Sequence, residues 1–62
     1  MCQQGFTATD GQTEFVVTEM EITQYYLVSV EGILIKKGHH MNGNSVIFDI
    51  GLLEGTEVII IN

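Results

Sequence analysis

The chain has 62 residues, 45% of them apolar, and eight acidic side chains against two lysines give it a formal charge of -6. That length holds one compact domain, the apolar fraction argues against disorder, and the acidity opposes phosphate backbones and anionic lipid, so no nucleic-acid partner is expected. No apolar run approaches the ~18 residues of a membrane span, and the opening MCQQG lacks the charged and apolar regions of a signal peptide, so a soluble chain without membrane insertion is expected.

In chain order, residues 1–12 mix Gln, Gly, Thr and Asp without periodicity and read as an N-terminal arm or linker, with the single β domain spanning 13–62. The lone Cys2 lies in this polar arm and cannot form an internal disulfide; it reads as an exposed thiol, with interchain pairing as the alternative. Residues 13–17 alternate, Phe15 and Val17 on one side and Glu14 and Val16 on the other, as in a short strand. Residues 18–23, TEMEIT, are too short and too β-branched for an isolated helix and read as an extended link or a bent continuation of that strand.

Residues 24–37, QYYLVSVEGILIKK, place two β-rich runs on either side of Glu31-Gly32, which predicts a two-residue hairpin turn. That turn sets Val30 opposite Ile33 and Val28 opposite Ile35 on one face, with Ser29 opposite Leu34 on the other. Residues 38–44, GHHMNGN, have a turn composition and read as a loop. Residues 45–50 alternate again, with Val46, Phe48 and Ile50 opposing Ile47 and Asp49, and a glycine-bounded link leads to a last strand, EVIII, apolar on both faces.

Four principal strands with short connections and no helix long enough for a crossover predict an all-β fold, a small antiparallel sandwich or partly open barrel. A core this small supplies only ~3–5 kcal/mol without disulfides or metals, so a homo-oligomer is expected. Its interface is assigned to the C-terminal strand, Val58, Ile59, Ile60 and Ile61, and to Tyr26 and Val28 of the hairpin, because one thin sheet cannot cover them all.

Catalytic chemistry finds no support in the residue pattern. His39 and His40 are adjacent and point apart on an extended chain, whereas zinc needs three or four convergent ligands, so neither metal site nor cofactor is expected. Glu19 and Glu21 share a face, but nothing builds the cleft that a general acid requires; the serines and threonines have no His or Lys at motif spacing. Tyr25 and Tyr26 suit aromatic packing, with a sugar or peptide contact as the alternative. The exposed amides and histidines of the 38–44 loop, His39, His40, Asn42 and Asn44, are the candidate ligand contacts.

The order ATDGQTEFVV, YYLVSVEGILIKKG, GNSVIFDIGLLEGTEVIII resembles a small β module of bacteriophage fibre proteins, with the pattern A-x-x-G-Q-T-x-F-x-V, an apolar strand ending V-x-N-G-V, then x-I-x-F and L-x-x-G-D-x-V-x-I. The matching positions are Gly11, Gln12, Thr13, Phe15 and Val17; Val30, Gly32 and Ile33; and Gly43, Val46, Phe48, Leu52 or Leu53, Gly55, Val58 and Ile60. Glu31 departs from the pattern's Asn, and His40 or Met41 from an expected aromatic. The resemblance implies a non-enzymatic structural or adhesion segment of a virion fibre, a spacer or tip, commonly trimeric, contacting other virion proteins and a host surface glycan. The alternative reading is a small cellular carbohydrate-binding or surface-binding module.

Overall fold

A computed structural model describes residues 2–62. Among them are seven strands and no helix: β1 (Gln3–Thr7), β2 (Gln12–Val16), β3 (Leu27–Val30), β4 (Ile33–Ile35), β5 (His39–Asn42), β6 (Ser45–Leu52) and β7 (Glu57–Ile61). They form two antiparallel sheets, a four-stranded one in the order β1-β7-β3-β4 and a three-stranded one in the order β2-β6-β5.

The Glu31-Gly32 turn fixes the four-stranded sheet. Both residues have positive φ, 51° and 83°, the mirror-image turn whose twist suits antiparallel neighbours. Val30 therefore pairs with Ile33, Ser29 with Leu34 and Val28 with Ile35, the register expected from the sequence. On its other side β3 pairs with β7, Val30 with Val58 and Val28 with Ile60, which makes β7 a central strand.

Residues 3–7 are not a free arm. They form β1, paired along β7 from Gln3 opposite Ile61 to Thr7 opposite Glu57. An edge strand takes its pairing from backbone groups, so it can carry Gln and Gly without apolar alternation. Residues 39–42 likewise form a strand rather than a loop, with β5 pairing β6 from His39 opposite Phe48 to Asn42 opposite Ser45 through the Gly43-Asn44 turn.

The core lies between the sheets. Phe15, Val28, Val46, Val58 and Ile60 are fully buried, with Ala8, Val17, Ile22 and Phe48 around them. Phe6, Phe15 and Phe48 meet edge-on at 5.4 Å between successive centroids, the offset geometry that aromatic quadrupoles favour. Val46 and Phe48 face inward as their alternation predicts, but Ile50 is 78% exposed. The reason is a bulge: Gln12 pairs with Leu52 while Glu14 pairs with Ile47, so β6 carries extra residues there and the alternation breaks. Gly51 sits at that bulge so close to the 9–12 turn that a Cβ would lie 2.7 Å from the Gly11 carbonyl oxygen.

Residues 17–26 cross irregularly from β2 to β3 and are held by side-chain amides. Asn44 Oδ1 accepts from the Ile22 amide at 2.9 Å, and Asn44 Nδ2 donates to the carbonyls of Met20, at 2.8 Å, and Val17. Gln4 Oε1 accepts from the amides of Thr18 and Glu19, both at 3.0 Å, and Asn62 Oδ1 from that of Thr23 at 3.0 Å. These bonds replace the ladder that an irregular segment lacks and seat Ile22 and Met20 against the core.

Candidate functional site

The two sheets differ in what they show to solvent. In the three-stranded sheet, Phe15, Val46 and Met41 share the inward row, so the outward rows are Glu14, Ile47 and His40, then Val16, Ser45 and Asn42. That surface is mixed and mostly polar, as expected of a solvated face. In the four-stranded sheet, Val58, Ile60 and Val28 point inward, and the outward rows are Gly5, Ile59, Ser29 and Leu34, then Gln3, Ile61 and Leu27. Leu34 is 59% and Leu27 50% exposed, Ile59 and Ile61 are half-buried, and Glu57, paired with Thr7, is the charged residue within these strands on that face. A chain of net charge -6 thus presents an almost uncharged, aliphatic sheet face.

This separates the residues expected at an interface into two groups. Ile59 and Ile61 project outward and are available. Val58, Ile60 and Val28 have no exposed surface and belong to the core of a single chain, which corrects their assignment to an interface. Two-residue periodicity requires β7 to divide this way, but which half faces inward depends on where the other sheet packs. Tyr26 is half-buried, and its hydroxyl lies 2.8 Å from His39 Nδ1.

Burial raises the Tyr26 phenol above its ordinary pKa, which keeps the proton on oxygen and lets the hydroxyl donate to Nδ1 when that nitrogen is unprotonated. The His39 tautomer that accepts this proton carries its own on Nε2, which faces the Ile35 carbonyl at 3.4 Å. The ring also stacks obliquely on Tyr26 and Phe48, with centroids at 5.3 and 5.9 Å. His39 therefore ties β5 to the β3-β4 hairpin.

The four candidate ligand contacts do not converge. His39 faces inward, whereas His40 and Asn42 stand on the outer side of β5, with His40 Nδ1 3.8 Å from Asp49 Oδ1 in an exposed pair of little energetic consequence. Asn44 uses its amide on the 17–22 segment, so its role is structural rather than ligand-binding. Among the described residues no three His, Cys, Asp or Glu side chains are grouped to hold a metal. Two shallow depressions are present, one of about 220 Å³ lined by Gly5, Phe6, Thr7, Glu57, Val58 and Ile59, the other of about 370 Å³ lined by Gln24, Tyr26, Leu27, Ile35, Lys36 and His39. The first lies at one edge of the aliphatic face. Leu27 and Leu34 are the face residues that the sequence reading did not assign to an interface; the hairpin register, which puts Leu34 beside Ser29 on the outward side, carried the signal. Comparison of the chain with protein-family models, curated proteins and solved structures returned no match.

Proposed function

We propose that this chain is a non-enzymatic, self-associating structural module that forms a spacer or tip of a phage virion fibre and functions as a homotrimer. The observation that carries self-association is the outward face of the four-stranded sheet, where Leu27, Leu34, Ile59 and Ile61 lie together with a single carboxylate at the margin. Leaving a large aliphatic side chain in water forgoes up to ~1.5–3 kcal/mol relative to burial, and association recovers this for several residues per copy at once. The assignment to a virion fibre, and the choice of three copies, rest on the resemblance of the ordered motifs described above. In this role the module positions whatever adjoins it along the fibre and makes host or virion contacts through its loops.

A second reading, a monomeric carbohydrate-binding module, is favoured by the depression of about 370 Å³ that gathers Gln24, Tyr26 and Lys36. Light scattering and a glycan array separate the two. A concentration-independent mass near 20.7 kDa, three times 6.9 kDa, without glycan binding supports the fibre module. A 6.9 kDa species that binds a glycan supports the alternative.

A further inference from the structure

The basic side chains are confined to one short stretch: Lys36, Lys37, His39 and His40 account for all of them, and the chain has no arginine. β4 leads into that stretch away from the Glu31-Gly32 turn. Glu31, and Glu57, whose carbonyl accepts from the Glu31 amide at 2.9 Å, therefore lie at the other end of the four-stranded sheet. Asp49 is close to the stretch but stands with His40 on the outer side of β5, opposite to His39.

The depression of about 370 Å³ opens at this basic end. Gln24, Tyr26 and Leu27 line it from the approach to β3, Ile35 and Lys36 from the end of β4, and His39 from the start of β5. No carboxylate is among these six, and Lys36 has none within 4.0 Å among the described residues. Charges beyond a Debye length of ~8 Å are largely screened at physiological salt, so the groups at the rim, Lys36 first, outweigh the distant acids of the chain. The volume lies within the ~300–1,000 Å³ of small-molecule sites. Leu27 and Ile35 supply aliphatic surface, and Gln24 and Tyr26 an amide and a hydroxyl. A neutral guest would leave the ammonium without a counter-charge, and a dianion would require a second permanent cation that the lining lacks.

We infer that this depression binds a monocarboxylate with a compact body, the carboxylate on Lys36 and the body against Leu27 and Ile35. The ammonium-carboxylate contact is charge-assisted and supplies most of the selectivity over a neutral analogue. Gln24 and Tyr26 are the groups through which a hydroxylated body, such as a sugar acid, gains over a plain aliphatic one. All six residues belong to one chain, so the site holds under either functional reading and does not depend on self-association.

The test follows backbone amides of the full chain by NMR during titration with sodium 3-methylbutanoate, sodium glucuronate and glucose, at ionic strength held constant with sodium chloride. Both acids are expected to give saturable shifts centred on Gln24, Tyr26, Leu27, Ile35, Lys36 and His39 in the millimolar range, and glucose none. Tighter binding of 3-methylbutanoate identifies an aliphatic acid as the guest, and tighter binding of glucuronate a sugar acid. Lys36 is exposed, so Lys36→Gln should fold as wild type and weaken both acids about ten- to hundredfold, as loss of a hydrogen bond to a charged group implies. Lys37→Gln removes the same net charge from outside the lining and should change affinity less than about twofold. Absence of saturable shifts with either acid, equal shifts with glucose, or equal weakening by the two lysine variants overturns the site. None of these outcomes bears on assembly, which the mass alone decides.

Discussion

Replacing Asn44 by alanine removes three side-chain hydrogen bonds, to the Ile22 amide and to the carbonyls of Val17 and Met20, while the backbone bond from the Val17 amide to the Asn44 carbonyl remains at 2.9 Å. The Asn44 backbone is not left-handed, so alanine adds no strain of its own. Each bond contributes a net ~0.5–1.5 kcal/mol, and the Ile22 bond is partly buried, so the loss sums to about 2–4 kcal/mol. Against the ~3–5 kcal/mol that a domain of this size commands, that removes most of the stability. With a urea slope of about 1 kcal/mol/M, the midpoint falls by about 2–4 M. Far-UV circular dichroism at one fixed protein concentration reads the change, the concentration being held because assembly adds to apparent stability. A loss under about 0.5 kcal/mol would show that the amide clamp contributes nothing beyond an ordinary surface contact.

Glu31 is the one non-glycine residue with positive φ among those described, a conformation costing ~1–2 kcal/mol that asparagine tolerates better. Glu31→Asn is therefore expected to raise the urea midpoint by about 0.5–1 kcal/mol equivalent, with the Val30–Ile33 pairing unchanged by NMR. Tyr26 has a raised phenolic pKa in the folded chain, so its contribution is intact below the unfolded value near pH 10 and is lost as pH rises through the folded one. Tyr26→Phe should cost about 0.5–1.5 kcal/mol at neutral pH by removing the bond to His39, and a thermal-melting series above pH 10 should then show a smaller alkaline decline than wild type.

The hairpin was legible because its register follows from turn length alone: two residues between apolar runs leave one pairing that keeps Val28, Val30, Ile33 and Ile35 on a common face. The alternation of β2 was legible for the same local reason, and Phe15 and Val17 are buried as it requires. Two of the four edge strands, β1 and β5, were not. β1 and β5 each pair on one side through backbone atoms, and their inward positions, Gln4 and Phe6, then His39 and Met41, are too polar or too near the rim to produce an apolar period. Ile50 escapes its alternation because a bulge is specified by the close approach of Gly51 to Gly11, a contact between distant parts of the chain. The same limit applies to function. An amide in a glycine-rich loop has the same composition whether it contacts a ligand or, as Asn44 does, the chain's own backbone. The greasy C-terminal strand suggested an interface, but only the packing of the second sheet shows that Val58 and Ile60 are buried while Ile59 and Ile61 face outward.

The central claim, that the outward face of the four-stranded sheet joins copies of this chain, is tested most directly by sedimentation equilibrium of wild type and Ile59→Lys across the micromolar range. Because Ile59 points away from the core, the lysine variant should keep its β-sheet circular dichroism, and a cation placed in a dry apolar contact must be expelled. The account predicts an assembled wild type of constant mass and a folded 6.9 kDa variant. A wild type of 6.9 kDa throughout, or a lysine variant that assembles as wild type does, contradicts it.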